Sequence, residues 1–198
     1  MSPSHLKNIT WEIKKKNLIV RSPCKLKILS SALLNPESGE ADTIINHQIP
    51  QNFQTRDYRG YLQRVVHRLD LNPDTTVGLL TAAKIENAAI KTLTYNNLTV
   101  TAFVTGGLSN PASAGDNAAG KRVGTINIIV LTNGRVTNSC LVNIVQTATE
   151  AKTHALQELD VRSRFSQRPA TGTTSDAIIA ASTMIGPPQS YAGTASHL

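Results

Sequence analysis

"LTVTAFVTGG", residues 98–107, places Leu98, Val100, Ala102 and Val104 on one side and Thr99, Thr101, Phe103 and Thr105 on the other. A period of two is that of a β-strand, so the spacing predicts a strand that stops at Gly106-Gly107. "TINIIVL" (125–131) repeats the period, with Ile126, Ile128 and Val130 on one face and Thr125, Asn127, Ile129 and Leu131 on the other. Thr125 and Asn127 therefore point the same way. After a tight-turn signal at Asn133-Gly134, "NSCLVNIVQTATEAKTHALQEL" (138–159) changes to helical spacing. Its apolar stripe is read as Leu141, Ile144, Val145, Ala148, Ala151, Ala155 and Leu159. Strands followed by a long amphipathic helix point to an α/β fold.

The rest of the chain reads the same way. "NLIVR" (17–21) and "DTIINHQI" (42–49) are short strands separated by "NPESGE", whose Pro36 and Gly39 mark a turn. "DYRGYLQRVVHRL" (57–69) has Tyr58, Leu62, Val65, Val66 and Leu69 at helical spacing, which leaves Arg64, His67 and Arg68 as solvated charge on the outer face. "VGLLTAAKIENAAIKTL" (77–93) is expected to pass from a strand end into a further helix before Asn96-Asn97 turns the chain. "LSNPASAGDNAAGKRVG" (108–124) is a long loop of small residues, the kind that lets backbone approach a ligand. "ATGTTSDAIIAAS" (170–182) crowds hydroxyls in front of Asp176 and then runs into an apolar stretch. Residues 1–198 are expected to form one domain, with a loose tail from about 186.

Composition narrows the function. With 40% hydrophobic residues, 198 positions can bury one substantial core. The net charge of +7 would suit an anionic partner, but aromatics are only 4% and nucleic-acid motifs are missing. Lys14, Lys15 and Lys16 read as a solvated cluster, and no nucleic-acid partner is expected. Cys24 and Cys140 stand far apart, and His5, His47, His67, His154 and His197 are scattered without metal-ligand spacing. Neither phosphate-binding glycine motifs nor a nucleophile elbow is present. No metal or cofactor is expected. The first twenty residues lack a signal-peptide core and no run reaches membrane-spanning length, so a cytoplasmic chain without membrane contact is expected, with a homo-oligomer left open.

Taken together, "VGLLTAA" (77–83), "FVTGGLSNPASAGD" (103–116), "GTINIIV" (124–130), "TATEAKTHAL" (147–156) and "ATGTTSDAIIAAS" resemble the adenosylcobinamide amidohydrolase family, in the family's order. Two departures are mild: Pro111 stands where the family more often has alanine, and Ser175 where threonine is common. The resemblance implies hydrolysis of the amide between aminopropanol and a corrin-ring propionate, giving adenosylcobyric acid, in a salvage route found chiefly in archaea. The substrate would be a corrinoid, large and flat, which calls for a wide and partly apolar cleft. The C-terminal half is also similar in layout to ornithine acetyltransferases and serine aminopeptidases, which implies a layered α/β sandwich with helices outside and Thr125 as nucleophile; those enzymes expose theirs by self-cleavage, which is left open here after Gly124.

Amide hydrolysis needs a nucleophile, a stabilised oxyanion and a proton for the departing amine. Thr125, or a water beside it, is the attacking group, and Asp176 or Glu150 manages protons, with Asp116 in reserve. Gly106, Gly107 and Gly124 offer backbone N–H groups to the oxyanion, while Asn110 and Asn127 orient the substrate amide by donating and accepting together. Thr173, Thr174 and Ser175 line the substrate side of the turn that delivers Asp176. Glu150 and His154 lie one helical turn apart, and Lys152 is read as solvated. A corrinoid-binding protein without catalysis, or a Thr-dependent hydrolase or acyltransferase acting on another substrate, are the alternatives.

Overall fold

The computed structural model describes residue 6, residues 8–117, 124–196 and residue 198. Residues 118–123 of the expected loop, with His5 and His197, lie outside the described residues. The elements run β1 (Thr10–Lys14), β2 (Asn17–Ser30), β3 (Glu40–Gln48), α1 (Tyr58–Arg68), β4 (Thr76–Thr81), β5 (Ala89–Tyr95), β6 (Leu98–Gly106) and β7 (Pro111–Ala112). They continue with β8 (Ile126–Thr132), β9 (Arg135–Val136), α2 (Asn138–Glu158), β10 (Gly172–Thr173), β11 (Ala177–Ser182) and β12 (Pro188–Gln189). The fold is α/β, built among the described residues on one large mixed sheet with two α-helices.

The main sheet has the order β4-β3-β2-β11-β8-β6-β5, with β1 added alongside β2. β3 with β4 and β8 with β11 are parallel, and the remaining pairs in this sheet are antiparallel. β2 is long enough to serve several neighbours because its register shifts between Arg21 and Leu26. Pro23, which cannot donate to a ladder, sits in that irregularity. The interrupted alternation there explains why only 17–21 read as a strand.

The sheet curls until strands far apart in its order touch through their side chains. Trp11 of β1 meets Phe103 of β6 edge-on at 5.6 Å, and Asn46 of β3 donates to the Thr105 hydroxyl of β6 at 3.0 Å. Inside the curl, Leu18, Val20, Ile44, Leu79, Phe103, Ile129 and Ile179 form the larger core. The inner side of β6 is thus its Thr/Phe103 side, and Thr99, Thr101 and Thr105 are buried. Both helices pack on the outside. α1 sets Leu62, Val65 and Val66 against Ile19 and Ile45. α2 sets Cys140, Leu141 and Ile144 against Ala180, and Leu156 against Ile126, Ile128 and Ile178. Each helix starts on a cap: Asp57 accepts from the Gly60 amide at 2.7 Å, and Thr137 from the Cys140 amide at 3.1 Å.

Three expectations need correction. The helix expected within 77–93 is replaced by β4, a single 3-10 turn at Ile85–Asn87, and β5. β5 forms a hairpin with β6 around Asn96, whose φ of 51° suits the turn, and Thr92 and Thr94 pair hydroxyls with Thr101 and Thr99. Cross-strand pairing overrides the helical spacing of an edge segment. On α2 the stripe drifts: Ala151, Ala155 and Leu159 are exposed, whereas Lys152 and Leu156 turn inward. The segment from about 186 is packed rather than loose, since β12 pairs with β9 and Ala192 is buried beside Cys140 and Leu141.

Candidate active site

Thr125 immediately precedes β8 and the 170–176 turn immediately precedes β11, its parallel neighbour, so the pairing alone brings the two segments together. Asp176 fastens them. Its carboxylate accepts from the Ile126 amide at 2.9 Å, from the Thr173 amide at 2.9 Å and from the Thr173 hydroxyl. Lys152 of α2 donates to the same carboxylate at 2.7 Å. Both charged side chains are only 12% exposed, so the solvated lysine expected from the sequence is corrected to a shielded ion pair. A Cβ on Gly172 would strike both partners, and this close approach accounts for glycine in the turn.

The turn also holds Gly124 and Thr125. Ser175 donates its hydroxyl to the Gly124 carbonyl at 2.8 Å, the Thr173 hydroxyl, whose one hydrogen is shared with Asp176, lies 3.0 Å from the same carbonyl, and the hydroxyls of Ser175 and Thr125 lie 2.9 Å apart. From the other side, the Gly107 amide donates to the Thr125 carbonyl at 3.0 Å, and Asn110 donates to the Thr174 hydroxyl. β7 and β10 pair antiparallel, which draws "GLSNPASAGD", "GTIN" and "TGTTSD" to one place.

This junction forms one wall of a cleft of about 790 Å³. Thr125, Asn127, Thr174, Ser175 and Asp176 share its lining with the apolar Leu33, Ile49, Phe53 and Leu79 and with the polar Ser31, Gln54 and Thr55. Phe53 packs on Tyr61 with ring centres 4.5 Å apart. Behind it, His47 is held at both ring nitrogens, by the Asn17 carbonyl oxygen at 2.7 Å and the Tyr61 hydroxyl at 3.1 Å. Asn17 spends its NH₂ on the carbonyls of Lys14 and Lys15, so His47 Nδ1 donates and Nε2 accepts. Burial, with Arg68 and Lys16 nearby, lowers the His47 pKa to about 4. It is a neutral structural group.

The remaining residues singled out from the sequence are distributed as follows. Gly106 pairs with Ile126 in the β6–β8 ladder and the Gly107 amide is engaged, while Gly124 is hemmed in by Asn110 and Gly107. Close packing accounts for Gly124 alone: a Cβ on Gly107 would make ordinary contact with Ala83, and one on Gly106 would meet open space. Asp116 accepts from the Ser113 amide at 2.7 Å and from Arg168 at 2.9 Å, and it lines neither this cleft nor the smaller cavity beside Lys152. The Ser163 hydroxyl above all, then Ser166 and those two bonds, hold its carboxyl well below the usual carboxylate range. Glu150 is exposed on α2 and accepts from Gln146 at 3.2 Å, while His154 pairs with Glu158 rather than Glu150. The structure does not bring Glu150 to the cleft. Lys152, for which the sequence reading preferred solvation over a carboxylate partner, pairs with a carboxylate of the cleft; its position one turn beyond Ala148 on the apolar stripe was the available signal.

Among the described residues, no helix is long and apolar enough to cross a membrane. An uncharacterized protein of Methanocaldococcus jannaschii is 31% identical over 187 residues, covering 83% of this chain and 72% of the relative. A protein of Methanosarcina mazei named adenosylcobinamide amidohydrolase is 30% identical over 171 residues, covering 86% of this chain and 76% of the relative. Residues 2–198 match the profile described as adenosylcobinamide amidohydrolase, well beyond the 77–182 span that carried the motifs. The chain therefore belongs to the adenosylcobinamide amidohydrolase family.

Proposed function

We propose that the chain hydrolyses the amide joining aminopropanol to a corrin-ring propionate in adenosylcobinamide, releasing aminopropanol and adenosylcobyric acid for reuse in cobalamin synthesis. The observation that carries this reading is the hydroxyl pair Thr125–Ser175 in the lining of a cleft that also carries apolar side chains such as Leu33, Phe53 and Leu79. The apolar side chains suit the edge of a macrocycle, and the hydroxyls meet the amide it bears.

In this reading Thr125 attacks the amide carbon. Its proton passes to Ser175 while the Ser175 proton, turned away from the Gly124 carbonyl, passes to the departing nitrogen, so the new C–O bond and the broken C–N bond balance without a separate base. Water then hydrolyses the Thr125 ester by the reverse relay. The Thr174 hydroxyl, which accepts from Asn110, donates its own proton toward the oxyanion. The Lys152–Asp176 pair keeps the turn and Ser175 in place.

Incubation of the purified protein with adenosylcobinamide, without nucleotide, should release aminopropanol and a carboxylate corrinoid separable by chromatography. Strict dependence on ATP, or no release, overturns the reading. Thr125→Ser should remain active and Thr125→Ala should be inactive while folded; a modest loss for alanine would instead assign the attack to water.

A further inference from the structure

Asn127 stands at the start of β8 with its side chain inside the curl, 1% exposed, in the wall that holds Thr125 and Ser175. Its Nδ2 donates to Asn46 Oδ1 at 3.0 Å and to the Leu80 carbonyl at 2.8 Å. A main-chain carbonyl can only accept, so this end of the amide is the NH₂ group and the reversed orientation is excluded. Both of its hydrogens are committed. Asn46 is anchored in turn by donating to Thr105. A polar chain from β6 through β3 and β8 to β4 therefore fixes the Asn127 amide plane.

The opposite end differs. Asn127 Oδ1 is buried and has no hydrogen-bond partner among the described residues. Native proteins seldom leave a buried amide oxygen unmatched, because removing it from water is costly unless a partner arrives. The sequence reading gave Asn127 a double role, donating and accepting; with both hydrogens committed, only acceptance is left for a ligand.

We infer that Asn127 determines specificity for the bond cleaved, accepting through Oδ1 the N–H of the substrate's scissile amide. The inference rests on the amide-hydrolysis reading above. With its N–H directed at Asn127, the nitrogen turns its developing lone pair away from Oδ1 and toward the Ser175 hydroxyl that protonates it. An ester has no hydrogen there, and its bridging oxygen would set lone pairs against Oδ1. The site therefore selects amides over esters, against the order of their intrinsic reactivity.

The test compares adenosylcobinamide with the ester in which oxygen replaces the aminopropanol nitrogen, using the wild type and Asn127→Ser. For the amide, kcat/KM should fall about a hundredfold in Asn127→Ser, whereas ester hydrolysis should stay within about threefold. Equal losses on both substrates, or no loss on either, overturn the inference. If Asn127→Ser does not fold, the wild type alone decides. An ester cleaved faster than the amide in proportion to its lability in hydroxide refutes the role, and an ester cleaved no faster supports it. Equilibrium affinities for both compounds, read from corrin absorbance, separate the two readings. Tighter binding of the amide without hydrolysis sinks the proposed function and keeps the inference; equal affinity for the two compounds, with neither hydrolysed, sinks both.

Discussion

Asp116 accepts from the Ser113 amide, the Ser163 hydroxyl and the Arg168 guanidinium. Asp176 accepts from the Thr173 and Ile126 amides, the Thr173 hydroxyl and the Lys152 ammonium. Each carboxylate closes a four-residue turn, and each is matched by backbone, hydroxyl and cation. They differ in what they hold. Asp116 ties 113–116 to 163–168 and pairs with an arginine that is 56% exposed. Asp176 ties the start of β8 to the turn before β11, against a lysine shielded by the sheet. Rich hydrogen bonding therefore does not single out a catalytic carboxylate. The distinguishing feature is that Asp176 joins the segments carrying Thr125 and Ser175 where they line a cleft.

The largest effect should come from Asp176→Asn. An amide cannot accept at both ends, so its NH₂ would face either Lys152 or the Ile126 amide, and Lys152 would be left shielded without its counterion. Turnover should fall about a hundredfold or more, since small displacements of Ser175 and Thr125 disrupt the alignment on which transfer depends. Stability should fall by about 3 kcal/mol, or roughly 6–12 °C in melting temperature. Adding Lys152→Met removes the orphaned charge and should return much of the stability but none of the turnover. A folded, fully active Asp176→Asn would erase the contrast with Asp116.

The contrast also shows how far the sequence could be read. "TGTTSD" was legible as a turn delivering Asp176 because hydroxyls, glycine and a carboxylate precede an apolar run. That Lys152 meets it was not, because α2 had to be rotated by one position: Ala151 and Ala155 fit an apolar stripe as well as Leu156 does, and only packing on Ile126, Ile128 and Ile178 chooses between them. Strands with unbroken alternation, β6 and β8, were plain. The second half of β2 was hidden by its bulge, and β5 by helical spacing on an edge strand. The acceptor-only state of Asn127 depends on Asn46 and Leu80, which are distant in sequence and adjacent only once the sheet curls.

A smaller and different effect is expected of Asp116→Asn. Because the carboxyl is held below its usual range in the folded protein, it contributes stability at pH values above the unfolded carboxylate value of about 4, and the contribution is lost as pH falls. The variant should melt lower than wild type at neutral pH, and the gap should close on acidification. Turnover should stay within a fewfold of wild type. Lost turnover with an unchanged melting profile would move Asp116 from the anchor's side of the comparison to the cleft's.

The smallest effect is expected where the sequence reading placed a catalytic group. Glu150 and Lys152 are two positions apart on α2, which puts them on different sides of the helix; the side that packs on the sheet is the one that carries Lys152. Glu150 faces outward, with Gln146 one turn earlier as its hydrogen-bond partner at 3.2 Å, and it lines neither the cleft nor the cavity beside Lys152. Glu150→Gln keeps the size of the side chain and leaves an amide able to pair with Gln146. Turnover should remain within about twofold, and the melting temperature within about 1–2 °C, the scale of an exposed helix pair. Turnover and melting measured beside Asp176→Asn settle the point. A loss approaching that of Asp176→Asn at unchanged stability would mean that Glu150 reaches the substrate from outside the cleft, and that the buried face of α2 does not alone define the site.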